Sequence, residues 1–218
     1  MKNTLSILMV DDHPMILEGY KNTLLQEKDF NLEIDTATNC DTAISKLERP
    51  GSNYDIVLLD IKIPPCANGK ILSGEDLGVF IRQKFLSTKI IILTMFSEKI
   101  RLTNIIENVN PDSFLIKSEV MPLELVEAVK GVMNGEKYYS ETIKKLNKQQ
   151  NQDSVLDDYD RRIIFQLSKG TKTSHLVDYI PLSLGAIEKR KRRIKEVFGI
   201  NRGGDREILD KARQLGYL

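Results

Sequence analysis

Five reactive side chains of this 218-residue chain stand directly after short apolar segments. They are Asp11, Asp12, Asp60, Thr94 and Lys117. Three carboxylates brought together repel one another, which favours a bound divalent cation with oxygen ligands, and Mg²⁺ is the cation expected there. A hydroxyl and an ammonium opposite them can hold the oxygens of a phosphoryl group, while one carboxylate acts as the nucleophile. The residue types and their positions therefore predict phosphoryl-transfer chemistry.

These side chains can meet only if parallel strands bring their ends together. Strand-length apolar runs lie at Leu5–Val10, Leu32–Thr38, Tyr54–Leu59, Lys89–Leu93 and Ser113–Ile116. Segments with helical periodicity follow them at about Pro14–Glu27, Asp41–Glu48, Gly74–Phe85, Glu98–Val109 and Pro122–Asn134. Runs that are apolar at every position, such as Ile56–Leu59, are typical of strands covered on both faces. The alternation predicts an α/β fold with a five-stranded, doubly wound parallel sheet, whose ligands bind beyond the carboxyl ends of the strands.

The same residues resemble the receiver domain of bacterial two-component response regulators over about residues 4–134, including the sequence VDDHP at Val10–Pro14. The resemblance implies a flavodoxin-like fold in which Asp60 accepts phosphate from a sensor histidine kinase or a phosphotransfer protein. It also implies a stoichiometric phosphoacceptor with at most slow self-dephosphorylation, and no enzyme with turnover.

The resemblance assigns roles to the residues around the phosphoacceptor. Those implied to hold Mg²⁺ are Asp11, Asp12, Asp60 and, through its backbone carbonyl, Lys62. Thr94 and Lys117 are implied to grip the phosphoryl group. Phe114, three residues before Lys117, matches the aromatic position that moves inward when the hydroxyl residue moves.

One departure from that family is the loop after Asp60. It reads IKIPPCANGKILSG over residues 61–74 and is several residues longer than usual. Its prolines and glycines predict a projecting loop at the rim of the site. Such a loop contacts the kinase, shapes the access of water, or is a tolerated surface insertion.

The composition, with 41% apolar and 29% charged residues, is that of an ordinary globular protein. No apolar run approaches the roughly 20 residues of a membrane helix. The run Leu5–Val10 has an acidic end and no cleavage-type site, so we do not expect a secretory signal. Two cysteines, Cys40 and Cys66, cannot make a disulfide framework, and they lack the spacing of metal ligands. These features predict a cytoplasmic protein that does not contact a membrane.

Charge is distributed unevenly along the chain. Residues 1–153 carry 18 Lys and Arg against 22 Asp and Glu, whereas residues 154–218 carry 14 against 9. The basic C-terminal part indicates an anionic partner. Between the two parts, Lys144–Asp153 contains a single apolar residue, which predicts a tether. We therefore expect a receiver domain at 1–137, a linker at 138–153 and a helix-turn-helix domain at 154–218.

The C-terminal part has the pattern of a helix-turn-helix domain. Its predicted helices lie at about Leu156–Gly170, Ser174–Tyr179, Ser183–Phe198 and Glu207–Leu215. The third contains the run KRKRR at Lys189–Arg193, and basic charge on a helix favours DNA binding because phosphate counterions are released. The segment resembles the LuxR-type DNA-binding domain. The residues implied to contact DNA, mostly at phosphates, are Lys172, Lys189, Arg190, Arg192 and Arg193.

Together these features predict a phosphorylation-controlled transcription regulator that binds duplex DNA and forms a homodimer when phosphorylated. Two alternatives stay open. His175 and Gly185 depart from the LuxR-type pattern, which leaves a protein or RNA partner for the C-terminal domain. A Mg²⁺-dependent phosphatase of the haloacid-dehalogenase type also combines an Asp nucleophile with Thr and Lys. In that family the nucleophile normally ends the first strand, whereas Asp60 follows the third.

Overall fold

The computed structural model of the protein describes residues 4–147 and 155–218. The described chain divides into two compact units, one within Met1–Ser97 and Val109–Gln149, the other within Glu98–Asn108 and Gln150–Leu218. Most of the predicted tether, residues 148–153, lies outside the described residues. Within the described ranges, no helix has both the length and the apolar character needed to cross a membrane.

The first unit is built on a parallel sheet of six strands in the order β2-β1-β3-β4-β5-β6. The strands are β1 (Thr4–Val10), β2 (Asn31–Ala37), β3 (Ile56–Asp60), β4 (Lys89–Thr94), β5 (Ser113–Ile116) and β6 (Tyr138–Tyr139). The helices up to residue 147 are α1 (Pro14–Leu25), α2 (Cys40–Leu47), α3 (Gly74–Lys84), α4 (Lys99–Val109), α5 (Pro122–Met133) and α6 (Glu141–Asn147). This confirms the predicted flavodoxin-like α/β fold. The sixth strand was not predicted, because two residues are too few to form a recognisable apolar run.

Burial explains why strands form at the apolar runs. Every residue of β3 and of β5 is buried, as expected for parallel strands that helices cover on both faces. On one side of the sheet, Leu58 and Ile91 belong to the same apolar core as Leu125 and Val129 of α5. The continuous apolar runs are therefore explained by the layered packing.

The register of the strands brings their carboxyl ends to one edge of the sheet. Val10 lies beside Leu59, and Asp60 lies beside Leu93 on the next strand. Thr94 ends β4. Because all the strands are parallel, the predicted reactive residues emerge at the same edge.

The second unit is helical, as predicted. Beyond residue 155 it contains α7 (Asp158–Ser168), a 3₁₀ helix (Thr173–Asp178), α8 (Leu184–Val197) and α9 (Asp205–Gln214). Buried residues from each of these helices form its core, among them Ile163, Leu176, Ile194 and Ile208. The hydroxyl of Ser183 accepts a hydrogen bond from the Ala186 amide at 3.3 Å and so caps α8 at its predicted start.

Residues Lys99–Asn108 of α4 also belong to this second unit. The Leu156 amide donates a hydrogen bond to Asn104 Oδ1, and Asn108 Nδ2 donates to the Leu156 carbonyl at 3.1 Å. The Arg101 guanidinium lies 4.3 Å from the centre of the Tyr217 ring. Helical periodicity predicted α4. The same pattern did not predict its contacts with residues about 50 positions or more further along the chain.

Candidate functional site

Lys117 lies between two of the predicted carboxylates. Its Nζ donates hydrogen bonds to Asp11 Oδ2 at 2.6 Å and to Asp60 Oδ2 at 2.9 Å. The three side chains are at most 5% exposed. They follow or end three different strands, so their meeting is a product of the parallel sheet. The structure thus brings together residues that are distant in the chain, as the sequence predicts.

Asp12 completes an acidic group that can hold a metal ion. Ligand atoms of Asp11, Asp12, His13 and Asp60 lie within 4.8 Å of one another. Asp12 Oδ1 is buried and lies 2.7 Å from His13 Nδ1, yet it makes no hydrogen bond with any described residue. An oxygen-rich group with an unsatisfied carboxylate oxygen suits a hard divalent cation. His13 was not predicted as a site residue, although it stands within the VDDHP sequence.

Three further residues were predicted to belong to the site. Thr94 is fully buried, and its hydroxyl accepts a hydrogen bond from the Phe96 amide at 3.2 Å. Phe114 on β5 is fully buried. Lys62 is exposed, and its amide donates to Asp60 Oδ1 at 3.2 Å. The switch roles of Thr94 and Phe114, and the metal-ligand role of the Lys62 carbonyl, stay predictions.

The electrostatics of the group favour a charged Lys117. Burial raises the pKa of Asp60, although the Lys117 ammonium opposes this shift. Burial alone would lower the pKa of Lys117, but the charges and hydrogen bonds of Asp60 and Asp11 outweigh it and raise that pKa. Burial also raises the pKa of Tyr20 on α1, and the same three charged groups act on it.

The long loop after Asp60 is anchored at its end and in its middle. At Gly74 an added Cβ would lie 1.9 Å from the Asp60 carbonyl oxygen, so only glycine fits there. In the middle of the loop, Cys66 forms a disulfide with Cys40. Two cysteines were expected to form no disulfide framework, and in the structure they form this single bridge. A separation of 26 residues gave no local sign of the pairing.

The predicted DNA contacts fall into two groups. The exposed ones are Lys172, Lys189 and Arg192. In contrast, Arg190 Nη1 donates to Asp157 Oδ2 at 2.7 Å and to Asp160 Oδ1 at 2.9 Å. Arg193 forms an ion pair with the other oxygen of Asp160, whose side chain is fully buried. The roles of all five residues in DNA binding stay predictions, and two of them already have partners within the protein.

The pKa values of the two carboxylates beside these arginines are shifted in opposite directions. Burial raises the pKa of Asp160, and the charge of Asp157 adds to the effect, against the opposing arginines. Burial alone would raise the pKa of Asp157, but the hydrogen bond from Arg190 and the charges of both arginines lower it below its usual value.

Comparison with known proteins identifies the family. Residues 7–130, more than half of the chain, match the family model described as the response regulator receiver domain. A nitrate/nitrite response regulator protein homolog of Haemophilus influenzae is 26% identical over 187 residues, which cover 84% of this chain and 85% of that protein. Oxygen regulatory protein NreC of Staphylococcus aureus is 23% identical over 210 residues, which cover 90% of this chain and 92% of that protein.

Solved structures share the architecture of the chain. RcsB from Salmonella enterica serovar Typhimurium, bound to the promoter rprA in the presence of the phosphomimetic BeF3⁻, matches with a TM-score of 0.68 and 20% identity. The match covers 96% of this chain and 98% of that one. The parallel sheet with its acidic edge defines a receiver domain. The chain belongs to the response regulator family, and its receiver is followed by a helical C-terminal part with the fold of RcsB.

Proposed function

We propose that the chain is a cytoplasmic transcription regulator whose DNA binding is controlled by phosphorylation of Asp60. The observation that carries this proposal is the buried Asp60 carboxylate at the end of β3, which shares the Lys117 ammonium with Asp11. The family of the chain supports phosphate transfer from a sensor histidine kinase or a phosphotransfer protein.

Asp60 is the nucleophile of the proposed transfer. One of its carboxylate oxygens attacks the phosphorus of a phosphohistidine, the bond from phosphorus to the imidazole nitrogen breaks, and an acyl phosphate remains on Asp60. Lys117, which its neighbours keep charged, pairs with one oxygen of the phosphoryl group. The hydroxyl of Thr94 binds another. The protein then carries one phosphate per chain and loses it slowly, without turnover.

The acidic group fits Mg²⁺, because its ligand atoms are mainly carboxylate oxygens. Asp11, Asp12 and Asp60 would hold the ion together with the backbone carbonyl of Lys62. When bound, Mg²⁺ neutralises negative charge on the transferred group. The buried and unsatisfied Asp12 Oδ1 is the atom that supports this assignment most directly.

The proposed output runs through α4. Thr94 precedes the first residue of α4 by five positions, and α4 holds the backbone of Leu156 through Asn104 and Asn108. Leu156 lies two residues before α7. Movement of Thr94 and of Phe114 on phosphorylation would change how α4 holds the C-terminal helices, and hence dimerisation or DNA binding.

Duplex DNA is the proposed partner of the C-terminal helices. The exposed cations Lys189 and Arg192 lie on α8, the second helix of the helix-turn-helix pair. The second helix of such a pair is the one that enters the major groove. RcsB, which shares the fold, has been solved bound to promoter DNA. Binding as a homodimer to paired half-sites follows from the symmetry of such complexes.

The test supplies acetyl phosphate and Mg²⁺ to the full chain. Mass spectrometry should find one phosphate per wild-type chain and none on Asp60→Asn. Asp29→Asn removes a carboxylate that is 65% exposed and serves as the matched control, so it should behave like the wild type. Phosphorylation should then change the size and the DNA affinity of the wild type but not of Asp60→Asn.

Three results would contradict the proposal. Phosphate on Asp60→Asn would remove the assigned acceptor. Catalytic turnover of a generic phosphate ester would favour the phosphatase alternative. Binding to RNA or protein, with no binding to duplex DNA in either state, would favour the other output alternative.

A further inference from the structure

A disulfide lies in the loop that begins at the phosphoacceptor, and the proposed phosphoryl transfer does not use it. It joins Cys40, the first residue of α2, to Cys66. Their Cα atoms are 5.2 Å apart, within the usual range for disulfides. The two side chains are buried, with 0% and 3% exposed.

The bridge is part of a chain of contacts from α2 to Asp60. Next to the bridge, the Ala67 amide donates a hydrogen bond to Asp41 Oδ2 at 3.0 Å. At the start of the same loop, the Lys62 amide donates to Asp60 Oδ1. The segment that places Lys62 beside Asp60 is therefore held in its middle by a covalent bond that reduction can break.

The proposed cytoplasmic location of the protein favours a regulatory role for this disulfide. Glutathione and thioredoxin keep cytoplasmic thiols reduced, and the disulfides found there are mostly transient or redox-sensing. Pro65 and Ala67, on either side of Cys66, are exposed, so a local opening of the loop brings this sulfur to solvent. The sequence has two cysteines, so no third thiol of the chain competes for the bridge.

We propose that Cys40 and Cys66 form a reversible thiol–disulfide site that sets the order of residues 61–73 and thereby the rate at which Asp60 accepts phosphate. The second part of this proposal rests on the proposed function. The oxidised protein holds Lys62 in place beside Asp60. In the reduced protein the loop fluctuates, so the backbone carbonyl of Lys62 is less often in the position where it can bind Mg²⁺.

The oxidant class is a low-molecular-weight disulfide, such as oxidised glutathione. The Cys66 thiolate attacks one sulfur of this disulfide, whose S–S bond breaks, and one small thiolate leaves and takes up the proton that Cys66 has lost. The Cys40 thiolate then attacks the Cys66 sulfur of the mixed disulfide, and a second small thiolate leaves with the proton from Cys40. Two protein thiols are oxidised, and one small disulfide is reduced to two thiols.

The test compares the full wild-type chain equilibrated with oxidised and with reduced glutathione. Cys40→Ser and Cys66→Ser are matched controls, because neither can form the bridge. Mass spectrometry after thiol alkylation measures the bridge. Amides of residues 61–73 should exchange hydrogen at least about 10-fold faster in the reduced wild type. Phosphorylation of Asp60 by acetyl phosphate should be at least about 3-fold slower in the reduced wild type than in the oxidised wild type. In the reduced buffer both variants should match the reduced wild type, and in the oxidised buffer neither should show the slow loop exchange of the bridged wild type.

Each other result overturns a defined part of the proposal. The redox site is overturned if the bridge does not form with oxidised glutathione. It is also overturned if loop exchange is equal in the two states of the wild type, or if oxidised glutathione slows loop exchange in the variants as it does in the wild type. Faster loop exchange with an unchanged phosphorylation rate overturns the regulatory part. If Asp60 takes no phosphate in any state, the proposed function and the regulatory part both fail, while loop exchange still decides the redox site.

Discussion

Each of the two units contains a cluster of charges with a buried carboxylate, and the two clusters differ in balance: carboxylates are in excess in the first, whereas two carboxylates face two guanidinium groups in the second. In the first, the single ammonium of Lys117 lies between the carboxylates of Asp11 and Asp60. In the second, the buried carboxylate of Asp160 lies between the guanidinium groups of Arg190 and Arg193. Residues of both clusters were predicted to be functional, because charge and spacing do not show whether a charged group already has a partner within the protein.

The difference shows how buried charge is divided between ligand binding and stability. The first cluster has more carboxylates than cations and keeps an unsatisfied oxygen on Asp12, so it can take up a cation. In the second, Asp160 forms ion pairs with both arginines and also caps α7 together with Asp157. The ion pairs of that cluster join α7 to α8.

The largest effect is expected from Asp160→Asn, which leaves two arginines without their buried carboxylate. Arg190 and Arg193 are 26% and 42% exposed, so solvent screens them, and the loss of their charge-assisted hydrogen bonds to Asp160 should cost about 2 kcal/mol in the free energy of unfolding. Hydrogen exchange of the α7 and α8 amides in the full chain should measure the loss. Asp158→Asn is the matched control, because Asp158 is 52% exposed, and its cost should stay below about 1 kcal/mol. Equal costs would show that the second cluster is not a buried structural unit.

Asp11→Asn should affect metal binding and leave stability nearly unchanged. The affinity for Mg²⁺, measured by calorimetry, should fall by at least about 10-fold because an anionic ligand is lost. The free energy of unfolding should change by less than about 1 kcal/mol, since an amide oxygen can still accept from Lys117 and one of the repelling charges is gone. Asp29→Asn should leave both quantities unchanged. An unaltered Mg²⁺ affinity in Asp11→Asn would contradict the metal site.

Lys189→Ala and Arg192→Ala test the exposed cations of α8, in contrast to Arg190 and Arg193, which form ion pairs with Asp160. Each loss of a phosphate contact should flatten the dependence of log affinity on log salt by about 1. Fluorescence anisotropy with a duplex promoter fragment gives this slope. Arg206→Ala on α9 removes a cation that is 89% exposed and should leave the slope unchanged. A slope flattened equally by Arg206→Ala would show that α8 is not the contact surface.

The smallest effect concerns the pH dependence of stability at Asp157. Its pKa is lowered in the folded protein, so its stabilising contribution is present above the ordinary carboxyl pKa and is lost as the pH falls through the lowered value. The side chain is 47% exposed, so solvent screens the effect. Below about pH 4, thermal unfolding of Asp157→Asn should therefore shift less with pH than that of the wild type. Parallel shifts in the two proteins would contradict the assignment.

Much of the phosphoacceptor site could be predicted because its positions follow from a local rule. A strand is recognisable from a few consecutive apolar residues, and in a parallel sheet the residue after each strand lies at a common edge. Asp11, Asp60 and Lys117 satisfy this rule and meet in the structure. His13 was missed although it lies within VDDHP, because the ligands expected for Mg²⁺ are oxygen atoms.

The sequence by itself determined the α/β order of elements, the reactive residues at the strand ends and the basic character of the C-terminal part. These are properties of consecutive residues, and period and charge express them directly. Only the tertiary structure decided that Cys40 pairs with Cys66, that Asp160 forms ion pairs with Arg190 and Arg193, and that α4 holds Leu156. Such pairings join positions that only the packing of whole elements brings together, and no local pattern records which distant partner a buried group will meet.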